Sequence, residues 1–273
     1  MFETHFGFSA PPFQLSPDPA FYFESKGHGK ALAYLKYGVH QGEGFIVVTG
    51  DVGSGKTTLV RALQKALPPG KVVVAQVVST LLDDHGLLYS ICVACGLELP
   101  QSPTKAQLQA TIENFAMHLV AQGRRMLLVI DEAQNLGPRE IEELRMLSNY
   151  QLSNRALLQS YLIGQPELRA KLRLPAMEPF RQRVIASCHL GPLDVADVRG
   201  YIEHRLRHVG WKDNPRLDDG VFEAVYRHTD GIPRRINVLM TRVLLDAVMN
   251  ARQQIAREQI EQLASELRDE AGF

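Results

Sequence analysis

The chain has 273 residues, 45% hydrophobic and 22% charged, which is apolar enough for a sizeable core and excludes a mainly disordered chain. Thirty basic and thirty acidic residues cancel. That excludes a protein that coats nucleic acid or an anionic membrane by net charge, and leaves only local patches for such contacts. The opening MFETHFGF lacks a basic-then-apolar pattern, so no signal peptide is expected. Residues 1–40 are rich in aromatics and proline, with Phe6, Phe8, Phe13, Phe21, Tyr22 and Phe23. A helix is predicted from about Lys26 to His40, because Ala31, Leu35 and Val39 recur at four-residue spacing. Apolar runs at residues 45–49, 72–78, 126–130, 157–163 and 184–190 then alternate with helical stretches. The runs hardly alternate with polar residues, which predicts a parallel sheet buried on both faces by helices. They are strand-sized, far short of the roughly 20 residues of a membrane span. After Pro192 no convincing strand is readable, and helices are predicted at 195–209, 218–228, 233–250 and 257–269, the first capped by Asp194. The chain therefore divides into an α/β domain, 1–192, and a small helical domain, 193–273.

The chemistry concentrates at two strand ends. The run at 45–49 leads directly into Gly50, Asp51, Val52, Gly53, Ser54, Gly55, Lys56 and Thr57, followed by Thr58 and a helix start. This is G-x-x-x-x-G-K-[ST] in the strand–loop–helix context that the motif requires. Glycines let the backbone wrap so that its N–H groups face phosphates, and the helix N-terminus adds partial positive charge. Lys56 is placed to reach the β- and γ-phosphates, and the Thr57 hydroxyl to coordinate Mg²⁺. The run at 126–130 ends in Asp131 and Glu132, at the carboxyl edge where open α/β sheets bind ligands. Asp131 is expected to hold Mg²⁺ through water, and Glu132 to polarise the attacking water. Asp131-Glu132-Ala133-Gln134 also invites a helicase reading, but the length allows one such core, not the two that helicases of that type need.

Together the phosphate loop, the acidic strand end, five strand runs and a helical lid resemble the AAA+ ATPases. More closely, PPFQLSPDPAFYF, GEGFIVVTGDVGSGKTTLV, LLVIDEAQNL, LRMLSNYQ, FRQRVIASCHLGPL and GIPRRIN resemble the general secretion pathway protein A (ExeA-like) family, and most of all its exosortase/PEP-CTERM-associated branch. The resemblance runs over nearly the whole chain. It implies an α/β P-loop NTPase of the AAA+ type: a three-layer sandwich with a five-stranded parallel sheet, followed by a small all-helical lid domain. It places the run at 157–163 between the phosphate-loop and Asp-Glu strands, and makes Gln165 the candidate for a polar contact to the γ-phosphate or the water. Arg181 or Arg183, with Arg183 preferred, occupies the place of an arginine finger acting on a neighbouring subunit. GIPRRIN matches the segment that senses nucleotide from the lid, with Arg234 facing the γ-phosphate and Arg235 the alternative. Pro233 suits the first turn of that helix, and a basic helix start is better explained by a nearby anion. In the family's base-binding strip, Phe21, Tyr22 or Phe23 is expected to pack on adenine; each ring equally fits a core anchor for the N-terminal segment.

Two metal-like patterns are set aside. Cys92 and Cys95 form a C-x-x-C inside an apolar stretch with no second ligand pair, so they read as buried free thiols. His204 and His208 lie four apart, opposite the apolar face of Val198, Ile202, Leu206 and Val209, so both are expected on the solvated face beside Arg199 and Arg207.

The expected activity is ATP hydrolysis with Mg²⁺ by a homo-oligomer that remodels a protein partner. The resemblance sets it in bacterial secretion or exopolysaccharide and cell-surface assembly. Longer members of that family carry a transmembrane segment and a peptidoglycan-binding region. Neither precedes Phe273, so the expectation is a cytoplasmic protein whose membrane location, if any, is borrowed from a partner. The alternatives are a DNA-associated transposition-type adaptor, disfavoured by the neutral charge, and a nucleotide-dependent switch with little hydrolysis. Nucleic acid is not the expected partner.

Overall fold

The computed structural model describes residues 2–79, 82–152 and 155–271. Its first half runs α1 (Phe2–Phe6), α2 (Lys26–Gln41), β1 (Phe45–Gly50), α3 (Lys56–Ala66), β2 (Val72–Val78), α4 (Asp84–Ala94), α5 (Lys105–Ala121), β3 (Arg125–Asp131) and α6 (Pro138–Leu147). It continues with β4 (Gln151–Leu152), β5 (Arg155–Ala156), β6 (Leu158–Gly164), α7 (Pro166–Leu172), α8 (Glu178–Arg181) and β7 (Val184–Leu190). The last stretch is α9 (Val195–His208), β8 (Arg216–Leu217), α10 (Asp219–Thr229), α11 (Pro233–Met249), β9 (Gln254–Ile255) and α12 (Arg257–Ala271). The chain forms two compact units. One holds Gly29–Asp51 and Leu59–Leu190; the other holds the N-terminal segment to His28, Val52–Thr58 and the chain from Gly191.

The first unit is built on a five-stranded sheet in the order β2-β3-β6-β1-β7, parallel throughout. Side chains alternate between the two faces of each strand. Phe45 and Val47 of β1, Met126, Leu128 and Ile130 of β3, and Leu158 and Leu162 of β6 join one core with α4–α8. On the opposite face Tyr161 donates its hydroxyl hydrogen to the Leu35 carbonyl of α2 at 2.6 Å. Gly38 of α2 lies so close to Ile46 that a Cβ there would sit 2.1 Å from its side chain. The central strands β1, β3 and β6 are buried as their composition predicts. Edge strand β7 instead alternates between half-buried and exposed residues, because helices cover it less fully. A short antiparallel pair, β4 with β5, precedes β6.

In the second unit the predicted apolar face of α9 is buried, and Asp194 caps it by accepting from the Asp197 N–H at 2.7 Å. Phe6, Phe8, Phe13 and Phe21 enter the same core as α9–α12. Arg205, buried in α9, fastens this segment by donating to the carbonyls of Pro12 at 2.6 Å and Gln14 at 3.2 Å, with its guanidinium 4.7 Å from the Phe21 ring centroid. Two expectations are corrected here. The stretch after Pro192 is not wholly helical, since β8 and β9 form a two-residue parallel pair. Nor does His204 stand on a solvated face: it is half-buried, with Phe23 packed 5.7 Å from its ring, whereas His208 is exposed as expected, with Phe21 4.4 Å from its ring. The N-terminal segment partly covers that side of α9. Among the described residues no helix is long and apolar enough to cross a membrane.

Candidate active site

Strand register places the two halves of the chemistry. Thr49 of β1 pairs with Gly164 of β6, and Ile130 of β3 pairs with Leu162 of β6. The strands are parallel, so β3, β6 and β1 end at one edge, with β6 in the middle as expected. At a strand spacing of about 4.8 Å, the acidic end of β3 lies roughly 10 Å from the end of β1. Gly50 closes β1, and the phosphate loop leaves from it.

Within the loop Gly53 and Gly55 take φ of +83° and +96°, where a side chain would be strained. Ser54 and Lys56 are buried, Asp51, Thr57 and Thr58 half-buried, and Val52 exposed. Lys56 opens helix α3, so the first turn of α3 presents N–H groups that the helix itself does not use. Two groups hold the loop from outside. The Arg234 N–H donates to the Gly53 carbonyl at 3.1 Å, and the His28 ring nitrogen Nε2 lies 3.0 Å from the Ser54 carbonyl. Pro233 begins α11 as predicted, and Arg234, one residue on, has an exposed side chain. The alternative, Arg235, pairs instead with Asp230 at 2.7 Å.

At the end of β3, Asp131 is buried and accepts from the Glu132 N–H at 3.0 Å. Glu132 adopts φ 53° and ψ 37°, the left-handed region. Its Oε2 accepts from Gln134 Nε2 at 2.6 Å and from Gln165 Nε2 at 3.2 Å. The Gln165 N–H in turn donates to Gln134 Oε1 at 2.9 Å. Gln165, expected at the γ-phosphate or the water, contacts the Glu132 carboxylate here. Gln134 and Lys171, which donates to the carbonyls of Gln134 and Leu136, complete the arrangement. Neither is legible as a site residue in the sequence, because Lys171 contacts backbone carbonyls and Gln134 bridges a carboxylate to a distant backbone N–H, contacts that leave no spacing signature.

The candidate finger residues differ in their surroundings. Arg181 donates to the carbonyls of Leu172 and Leu174, each at 2.8 Å, and pairs with Glu178. Among the described residues the Arg183 side chain makes only long contacts to Ser148, 3.3 Å to its Oγ. Of the candidate adenine contacts, Phe21 is core and Phe23 packs edge-on to Tyr201 at 5.9 Å. Tyr22 stands edge-on to His28 at 6.2 Å. Among the described residues its buried hydroxyl has no hydrogen-bond partner, and burial drives its pKa well above the usual phenol value. Ser54 Oγ is likewise buried, with no partner among the described residues.

These features fit a magnesium nucleotide. Orphaned hydroxyls and a glycine-strained loop beside a helix start suit a phosphate chain. Among the described residues no group of three or more His, Cys, Asp or Glu is placed to hold a metal. Mg²⁺ commonly takes few protein ligands and fills its coordination with phosphate oxygens and water. Cys92 and Cys95 are free thiols whose pKa values burial pushes up to about 11 and about 12, which makes them poor nucleophiles at neutral pH. Arg199 and Arg207 are neutralised by Glu203, and Arg199 also by Asp219, so they form no bare basic patch.

Residues 39–172 match the AAA domain family, a stretch that begins in α2 and takes in the phosphate loop, Asp131, Glu132 and Gln165. The chain is 37% identical over 273 residues to General secretion pathway protein A of Aeromonas hydrophila, covering 99% of this chain and 50% of the relative. It thus spans about half the length of that curated relative. Among solved structures it is similar to the ORC2 protein of Aeropyrum pernix in its ADPNP-ADP complexes, with a TM-score of 0.69, 18% identity, 95% of this chain and 72% of the other covered. It is also similar to the RuvB Holliday junction branch migration motor of Thermotoga maritima, with a TM-score of 0.61, 17% identity, and 90% and 70% covered. At those identities the likeness speaks for the fold, and it agrees with the P-loop AAA architecture and its five parallel strands.

Proposed function

We propose that this protein binds Mg·ATP and hydrolyses it to ADP and phosphate, using the cycle to remodel a protein partner in bacterial secretion or cell-surface assembly. The observation that carries the reading is the common edge at which β1, β6 and β3 end, bringing the origin of the phosphate loop, Gln165 and the Asp131–Glu132 pair to one side of the sheet. The loop amides and Lys56 bind the β- and γ-phosphates. Thr57 and Asp131 hold Mg²⁺, which when bound neutralises charge developing on the phosphates. Glu132 orients water for in-line attack and takes its proton. Its carboxylate is already fixed by two amides, so little reorientation is needed before reaction. Gln165 reports the state of that carboxylate along β6. Arg234 contacts the γ-phosphate, Tyr22 the base, and Arg183 completes the site of a neighbouring subunit.

The setting is read from the relative's name and the sequence resemblance: a homo-oligomer at the cytoplasmic side of a secretion or exopolysaccharide system, within the exosortase-associated branch, attached to the membrane through a partner. The deciding experiment replaces Glu132 with Gln. The variant is expected to bind Mg·ATP like the wild type in titration calorimetry and to release phosphate at least about 100-fold more slowly. No heat of binding for the wild type, or unchanged turnover in the variant, overturns the proposal.

A further inference from the structure

His28 lies outside the reaction just proposed, yet it is a buried titratable group in contact with the phosphate loop. It is 7% exposed. Its Nε2 stands 3.0 Å from the Ser54 carbonyl and its Nδ1 2.8 Å from Ser25 Oγ. A carbonyl can only accept, so Nε2 carries the proton, and the neutral ring accepts at Nδ1 from the serine hydroxyl. Ser25 Oγ also accepts from the His28 N–H at 3.3 Å, which closes the turn that opens α2. Burial lowers the imidazole pKa, in keeping with a neutral ring. The ring fills the space beside Gly55, where a Cβ would come 2.8 Å from Nε2.

The geometry has a consequence for anion binding. A loop that grips phosphate with its N–H groups must keep its carbonyls turned away, since a carbonyl oxygen facing the anion repels it. Two consecutive carbonyls, those of Gly53 and Ser54, are taken up by donors outside the loop, the Arg234 N–H and His28 Nε2. The backbone pair is insensitive to residue type at 234. The histidine pair is not, so the order of the loop depends on one side chain.

That side chain is rooted in the N-terminal segment. Ser25 follows Phe23, which packs on Tyr201 and His204, and the segment before it is fastened by Arg205 and by Phe21 in the core. We propose that His28 is a positioning residue that locks the phosphate loop in its anion-binding form and couples the order of that loop to the packing of residues 2–28. This rests on the reading that the loop binds nucleotide. It adds that occupancy of the loop and the seating of the aromatic segment stabilise each other.

The test uses the full chain with four substitutions: His28→Ala, His28→Phe, His28→Gln and Ser25→Ala. Phenylalanine fills the space without a donor, and glutamine restores an N–H donor of similar reach. Affinity for Mg·ATP is measured by calorimetry, and hydrogen exchange is followed at residues 50–58 and 2–28 with and without nucleotide. H28A and H28F are expected to bind about tenfold more weakly, H28Q within about threefold of wild type, and S25A in between. In the absence of nucleotide, H28F should exchange faster at residues 53–57 while its melting temperature stays close to that of H28Q. Nucleotide should slow exchange at residues 2–28 in the wild type and H28Q but not in H28F. Equal affinities for H28F, H28Q and wild type overturn the inference, as does unchanged exchange at 53–57 in H28F. If the wild type itself binds no nucleotide, the proposed activity falls, and the exchange at 53–57 still decides whether His28 orders the loop.

Discussion

Glu132 shows how a single residue can break a local rule where chemistry is expected. A side chain with a β-carbon in the left-handed region costs roughly 1–2 kcal/mol, and here the cost is offset by two amide donors to its carboxylate. Such outliers collect at functional sites because surrounding contacts over-determine them. Two histidines give a second residue-scale consequence. Burial holds both His28 and His204 below the ordinary value of 6.5. His28 faces Ser25, the Ser54 carbonyl, Tyr22 and, as its charged neighbour, Asp197; His204 faces Phe23, His208 and Arg205. The folded form therefore binds fewer protons than the unfolded chain once the pH drops through 6.5. The stability they contribute is complete above that value and is lost as pH falls toward the folded values. Asp197, raised by burial, acts with the opposite sign in the carboxylate range below. Urea melts at pH 7.5 and 5.5 should show lower stability at 5.5, and the drop should shrink in the His28→Gln, His204→Gln double variant. An equal drop in that variant would refute the assignment.

At the scale of elements, the N-terminal segment is held less by its own secondary structure than by one cation. Arg205 spends three donors on the Pro12 and Gln14 carbonyls and on Tyr201 Oη, and Tyr201 passes the chain to Asn237 at 2.8 Å. Arg205→Ala would leave two carbonyls and a phenol without that partner, at a cost on the order of 3 kcal/mol. The expected result is a lower melting temperature with protease cleavage gained within residues 7–25, and a Lys in its place should recover only part. What the sequence made legible follows from range. The five strands announce themselves as apolar runs, and α9 and α11 through Asp194 and Pro233, because those signals are local. The β8–β9 pair joins Leu217 to Ile255 across 38 residues with two residues a side, too little for periodicity to register. His204 looks solvated on a helical wheel and is half-buried under Phe23, since a wheel holds no information about a distant aromatic segment; His208, on the same side, stays exposed as the wheel predicts. His28, Gln134 and Lys171 leave no trace for a related reason: their partners include backbone groups, carbonyls for His28 and Lys171 and the Gln165 N–H for Gln134, which almost every residue type offers. The phosphate loop and the Asp131–Glu132 end were legible because phosphate and metal chemistry demand particular residues at fixed spacing.

At the scale of the whole molecule, the net charge of zero leaves association to shape and to particular pairs rather than to a long-range field. The proposed assembly needs each subunit to supply an arginine to the next, and the two candidates separate on what already occupies them. Arg181 closes the Leu172 and Leu174 carbonyls and pairs with Glu178, a set of contacts that a finger would have to abandon. Arg183, held among the described residues by long contacts to Ser148, gives up little. Arg183→Ala is therefore expected to keep Mg·ATP binding and lose about 10³-fold or more in turnover, the range for an arginine finger. Arg181→Ala should instead lower the melting temperature, with turnover per folded molecule nearly unchanged. Complementation then tests action between subunits. An Arg183→Ala chain retains an intact phosphate loop but offers its neighbour no arginine; a Lys56→Ala chain offers the arginine but binds nucleotide poorly. Mixed, they create sites in which Lys56 of one chain meets Arg183 of the other. Phosphate release that rises with mixing ratio to a maximum near equal amounts supports shared sites, whereas silence at every ratio, with both variants folded and mixed assemblies visible by light scattering, rules out Arg183 as the shared residue.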